Sequence, residues 1–422
     1  MRDMEWFQCG YLPRRGDRAP DDDESACTLT SCFRRNAGEE DDETPALVRV
    51  YPGGWGFAVG SSSDGAVWTW GACRDYLAEG AAGDGRPRRG AGRAHPASAG
   101  FATVVSAETR DTARNDSPSE GIVRVEGWRP GTFPADDRAP PDAFFPAAAR
   151  AIRLRWGGAP RGARRVRELA VGDGHFLACT ENGEAFFCDR PASVCAALVL
   201  DADNTSSGVD VDEEERAGPR RGTSKPIEIT RVAAGSRHSA LVDADGRVWT
   251  FGWGLYGQLG HETCEDASSP TPVASLGACF ARAVAAGAAH TSVLVSTGSV
   301  YAFGSNVDGQ LGVPAAACAL GAATATPALV EFPWDDEPSV STSRANTSVA
   351  AVSCGARHTA CVTTLGEMVS WGWNAYGQLG VGDLETRAAP TRVAAPALAG
   401  RKAEAVACGR WHTVVGAASG IG

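Results

Sequence analysis

The chain has 422 residues, 51 of them Gly, and carries a formal net charge of −11. A hydrophobic content of 43% excludes a wholly disordered polymer, and no apolar run approaches the roughly 18 residues of a membrane-spanning helix. Acidic runs at 21–24, 39–43 and 201–215 hold the excess charge and leave the remainder only mildly basic, which excludes a bulk nucleic-acid binder.

The opening residues lack an apolar signal core, and the 13 Cys are odd in number and scattered. Both features predict an intracellular protein with reduced thiols, in the nucleus, the cytoplasm or both.

In chain order, Glu5–Gly10 reads as a short strand ending on Gly. Residues 13–46 are polar and acidic and predict a disordered insert. Gly54 then opens a weak repeat, with Phe57, Gly65 and Trp70-Gly71 in phase. The interval 72–165 matches the repeat poorly. It is rich in Gly, Ala, Pro and Arg, with an insert expected at 72–100 and a degenerate copy around 102–106 and 121–128.

Four clear copies follow, anchored at Gly172, Gly235, Gly287 and Gly355. Each has a His three residues later (His175, His238, His290, His358) and a Gly eight residues after that His (Gly183, Gly246, Gly298, Gly366). The last three copies run through an aromatic-Gly pair (Phe251-Gly252, Phe303-Gly304, Trp371-Gly372) to the sequence G-Q-L-G. Further inserts are expected at 196–228 and 313–348. A last copy begins at Gly409, with His412 in phase, and runs out of chain, so the N-terminal strand is predicted to complete it.

Each unit reads as short strands joined by Gly turns. In the second clear copy an apolar run (Ser239–Val242) leads into Asp245-Gly246, a hairpin signal, and then into Arg247–Phe251, which alternates β-favouring residues. Repeats of about 50 residues built this way form propeller blades. The spacing leaves room for two units between Gly54 and Gly172. It therefore predicts an all-β, seven-bladed β-propeller of four-stranded blades, a single domain over 1–422 whose ring is closed by the N-terminal strand.

At Val232–Leu241 (V-A-A-G-S-R-H-S-A-L) and Trp371–Gly380 (W-G-W-N-A-Y-G-Q-L-G) the sequence resembles the regulator of chromosome condensation repeat family. The layout is most similar to its small single-propeller members. That resemblance implies a non-enzymatic, monomeric scaffold or adaptor that docks a chromatin-associated protein, a histone or a histone-modifying enzyme. The alternative it implies is a guanine-nucleotide exchange factor for a small GTPase. Larger members carry a ubiquitin-ligase domain, which is not expected here because the repeat runs to the last residues.

No G-x-S-x-G, phosphate loop, H-E-x-x-H or zinc-spaced Cys pair is present, so no catalytic residue, metal or cofactor is expected. His175, His238, His290, His358 and His412 share one repeat slot, which predicts one structural task in each blade rather than a shared catalytic site. Cys354/His358 and Cys408/His412 have i, i+4 spacing, and they read as core rather than as a zinc site.

The two residues after each anchor Gly are implied by the family to look out from one face. Of these, Trp55, Asp173, Arg237, Arg357, Arg410 and Trp411 are the candidate partner-binding residues, expected to form a mixed basic and aromatic patch. The plant ultraviolet-sensor subgroup resembles G-W-R-H-T, with Trp directly after the anchor Gly. Here only Trp55 fits, which argues against light sensing.

Overall fold

A computed structural model describes residues 4–10, 30–31, 47–52, 57–62, 66–71, 88–99, 104–108, 122–126, 150–154, 166–189, 194–195, 198, 200, 227–334 and 347–419. The chain is all-β apart from two single 3-10 turns among these residues. Among the described residues there are five blades of three or four antiparallel strands. Blade I comprises Val166–Val171, Phe176–Thr180 and Ala185–Cys188; blade II comprises Ile229–Ala234, His238–Asp243, Val248–Gly252 and Ala267–Pro272. Blade III comprises Ala281–Ala286, His290–Val295, Val300–Ser305 and Ala323–Leu329; blade IV comprises Val349–Cys354, His358–Thr363, Met368–Gly372 and Arg387–Arg392. Blade V joins Arg401–Cys408 and His412–Ser419 to the N-terminal strand Met4–Gly10 and the short strand Thr30–Ser31.

The expectation of seven four-stranded blades is overturned. Strands between residues 47 and 154, with Val194–Cys195, form one continuous eight-stranded sheet. The physical reason is the 12-residue strand Arg88–Ala99. Its first half pairs with Ala66–Gly71 and its second half with Val104–Glu108, so one strand serves two neighbours. Among the described residues blade I has three strands, and Val194–Cys195 pairs in parallel with Arg150–Leu154. Three expected inserts carry strands: Thr30–Ser31 lies within 13–46, Arg88–Ala99 within 72–100, and Ala323–Leu329 within 313–348. The Ala- and Thr-rich composition of 323–329 hid an outer strand whose residues are half-buried to exposed.

Strand closure follows the sequence reading. Met4–Gly10 pairs with His412–Ser419 along its whole length, and Gly10 faces His412 as Gly252 faces His238. Trp6, Phe7 and Cys9 are buried in that sheet.

The first strands of successive blades lie against one another and so form the inner wall. The second strands of blades II to IV are buried at every residue, since neighbouring blades cover both faces. This is why Ser239–Val242 and its equivalents read as apolar runs rather than as alternation. The cores lie between blades. Leu241, Trp249 and Phe251 pack on Leu177 and Cys179 of blade I. Trp371, Cys361 and Val369 pack on Leu294 and Ala302 of blade III. Phe7, Val415 and Ala417 pack on Ala360 and Val362 of blade IV.

The turns are tightly specified. Gly246 has φ of 77°, and the Asp243 carboxylate accepts from the Asp245 and Arg247 amides and from the Trp249 indole at 3.0, 2.9 and 3.0 Å.

Candidate functional site

The repeat His stands at or just before the start of a second strand, and the rings of His175, His238, His290 and His358 lie against their own anchor Gly. A Cβ on Gly287 would lie 2.2 Å from His290 Cε1 and 2.6 Å from the Gly355 carbonyl of the next blade. The same double contact recurs at Gly172, Gly235 and Gly355. Only a glycine leaves room for the ring and the carbonyl together.

The rings bond outward to the following blade. The distances are 2.9 Å from His238 Nε2 to Thr291 Oγ1, 3.0 Å from His290 to Thr359, 2.9 Å from His358 to Thr413, and 3.0 Å from His175 to Ser239 Oγ. The threonine hydroxyls donate their single proton to the carbonyls of Gln258, Gln310 and Gln378 at 2.8, 2.9 and 2.7 Å. Their oxygens must therefore accept from Nε2–H, which fixes the neutral Nε2–H tautomer. Nδ1 of His238, His290 and His358 has no partner. Burial lowers these three histidines from 6.5 to about 3, and His175 and His412 to about 4. His175, His238, His290 and His358 thus fasten each blade to the next.

Thr291→Val keeps the shape but strips the partner from both the His238 Nε2–H and the Gln258 carbonyl. We expect it to cost about 2–3 kcal/mol in urea unfolding. A loss below about 0.5 kcal/mol would refute the relay.

The Cys-x-x-x-His pairs do not converge. The Cys354 thiol donates to Ser292 Oγ at 3.4 Å while His358 turns to Thr413. Burial pushes Cys354 up to about 11 and Cys408 up to about 12, so neither is a ready thiolate.

The anchor loops and the G-Q-L-G loops share one face. Main-chain bonds join them, from Trp253 N–H to the Arg237 carbonyl (2.9 Å), from Ser305 to Ala289 (2.8 Å) and from Trp373 to Arg357 (2.9 Å). Leu259, Leu311 and Leu379 are fully buried under the loops. The Gln258, Gln310 and Gln378 side chains accept from the Tyr256, Asp308 and Tyr376 amides at 2.9, 2.8 and 3.0 Å, which folds each loop outward. Leu255 (56% exposed), Tyr256 (39%) and Val307 (43%) stand out as a result.

The candidate face residues separate into two groups. The Arg237 guanidinium is exposed and lies 5.5 Å over the Trp253 ring, whose edge meets Tyr256 at 5.3 Å. Arg357 instead pairs with Asp308 at 2.9 Å, and Arg410 with Asp173 at 3.1 Å. Trp411 is only 4% exposed, packed edge-on against Trp373 at 4.9 Å and beneath Arg410 at 5.4 Å. Of the expected basic and aromatic residues, Arg237 is the exposed one, while Arg357 and Arg410 are paired with aspartates from other blades and Trp411 is buried. Trp55 lies outside the described residues.

Sequence reading missed Leu255, Tyr256, Val307 and Asp308. The available signal was their common position, one and two residues before the first Gly of G-Q-L-G.

Residues 148–415, more than half of the chain, match the family model described as RCC1-like domain. The chain belongs to the RCC1-like family. It is 33% identical over 319 residues to human RCC1 domain-containing protein 1, covering 70% of this chain and 77% of that protein. It is 31% identical to the Ultraviolet-B receptor UVR8 of Arabidopsis thaliana, covering 59% of this chain and 50% of the receptor. Two solved structures share the RCC1-like fold. Human WBSCR16 has a TM-score of 0.69 at 20% identity, covering 98% of this chain and all of that one. Prp20p of Saccharomyces cerevisiae, described with its binding properties to Gsp1p and histones, has a TM-score of 0.66 at 17% identity, covering 99% and 92%. The RCC1-like loops here place Asp173, Ser236, Ala288, Ala356 and Arg410 directly after the anchor glycines, with no Trp among them. Among the described residues no helix is long and apolar enough to cross a membrane.

Proposed function

We propose that this RCC1-like chain is a non-enzymatic, intracellular protein-interaction scaffold. As a monomer it docks a chromatin-associated protein, a histone or a histone-modifying enzyme, on the face of the anchor and G-Q-L-G loops. The observation that carries the reading is exposed Arg237 laid over half-buried Trp253, with exposed Leu255 and Tyr256 on the same loop and exposed Val307 at the equivalent position of the next blade. Arg, Trp and Tyr are the residues in which interface hot spots are enriched, and here an Arg is laid on an aromatic ring. Four of the five repeat histidines, His175, His238, His290 and His358, bond to a hydroxyl of the next blade. Prp20p, which shares the fold, is described as binding both histones and Gsp1p. Exchange-factor activity on a small GTPase is therefore the second reading.

The test is affinity purification of the full chain with mass spectrometry, beside the double variant Arg237→Glu, Leu255→Asp. Neither residue is core, so the variant keeps its fold. We expect a chromatin protein to be recovered with the parent chain and at least ten-fold less with the variant, since losing a hot spot costs about 2 kcal/mol or more. Unchanged recovery would remove this face from the account. Recovery of a small GTPase, strongest without nucleotide, would promote the second reading.

A further inference from the structure

The five blades are fastened in one direction by two rows of bonds. The first row is the His-to-hydroxyl series, which runs from His175 to Ser239 and ends with His358 on Thr413. The second joins the anchor loops through the main chain. Asp173 N–H donates to Ser236, Ser236 to Gly287, Ala288 to Ala356, and Ala356 to Arg410, at 3.3, 3.3, 3.1 and 3.1 Å.

The His series stops at blade V. His412 is 1% exposed, yet neither ring nitrogen has a partner. The sequence explains the stop. Phe57 pairs with Gly71 as His238 pairs with Gly252, so the eight-stranded sheet carries Phe57 at the His position and Ala58 at the hydroxyl position. On its other flank, Phe176 pairs with Cys188 as Ser239 pairs with Phe251, so blade I presents an aromatic ring where a hydroxyl would have to be. Among the described residues, neither of these two positions offers a hydroxyl to a His.

The two ends of the five-blade arc are instead joined directly. One Arg410 guanidinium nitrogen reaches both carboxylate oxygens of Asp173, at 3.1 and 3.3 Å, across 237 residues of chain. The two side chains are only 11% and 18% exposed, so water screens the pair weakly. We infer that the Arg410–Asp173 ion pair is a latch: it closes the inner ring of anchor loops across the interval of the eight-stranded sheet, where the described residues show no His fastening, and the ring opens there first.

Hydrogen exchange with mass spectrometry on the full chain tests this. Arg410→Gln and the isosteric Asp173→Asn should each speed exchange about ten-fold in both 166–171 and 401–408, while 281–295 keeps its protection. The swapped pair, Arg410→Asp with Asp173→Arg, should restore protection on both flanks. An increase confined to the mutated flank, a uniform increase over all five blades, or no change would each overturn the latch. If Arg410→Gln fails to fold, Asp173→Asn gives the same reading without loss of side-chain volume.

Discussion

Acidification from about pH 7.5 to about pH 5 is expected to unfold the propeller in one cooperative step, driven by the repeat histidines. In the unfolded chain each titrates near 6.5, whereas burial holds His238, His290 and His358 at about 3 and His175 and His412 at about 4. The folded values lie below the unfolded ones. The stability gained by keeping these rings neutral is thus fully present above about pH 6.5 and is lost as the pH falls toward 4 and 3. Each ring loses up to about 1.4 kcal/mol per pH unit in that window, and the five together on the order of 7 kcal/mol. Over the roughly 1.5 units between pH 6.5 and pH 5 the sum is about 10 kcal/mol, comparable with the whole stability of a domain, about 5–15 kcal/mol. Urea-unfolding free energies measured at a series of pH values should fall steeply below pH 6.5 and be flat above it. A profile flat down to pH 5 would mean that the histidines are charged or hydrated in the native state. His290→Gln should lower stability at neutral pH while taking up one proton fewer on acid unfolding.

Gly287→Ala should be among the most damaging single-methyl additions to the chain. Its Cβ would meet His290 Cε1 at 2.2 Å, His290 Nδ1 at 2.4 Å and the Gly355 carbonyl at 2.6 Å. Neither neighbour can yield. His290 is held by Thr359, and Gly355 is pressed in turn against His358. We expect a loss of about 3–5 kcal/mol, beyond ordinary overpacking because backbone as well as side chain must shift. Gly277→Ala is the matched control. There φ is −60° and the nearest atom is the Ala274 carbonyl oxygen at 3.1 Å, so the cost should stay within about 1 kcal/mol. Thermal unfolding of the two variants beside the parent separates them. If Gly287→Ala melted with the control, the ring-on-glycine packing would be wrong.

The repeat was legible because its register is local. Anchor Gly, His and turn Gly recur at fixed offsets inside one blade, and the pairing of Gly10 with His412 followed from the strand missing at the chain's end. What was not legible depends on contacts between repeats. Thr291, Thr359 and Thr413 sit directly after a His in sequence, yet each answers to the His of the preceding blade, 53 to 69 residues away. Arg357 and Arg410 look like free cations until Asp308 and Asp173 arrive from other blades. Trp411 looks like a loop tip until Trp373 and Tyr376 close over it. The eight-stranded sheet was hidden for a related reason. Arg88–Ala99 has the length to pair twice, but its Gly, Ala and Arg composition carries no strand signal.

Cross-linking mass spectrometry of the purified complex tests the docking face most directly. The account predicts that the partner's cross-links fall on the loops around 236–237, 253–256, 288–289 and 305–308. Cross-links confined to the outer strands Ala267–Pro272, Ala323–Leu329 and Arg387–Arg392 would contradict it and place the partner on the rim of the propeller.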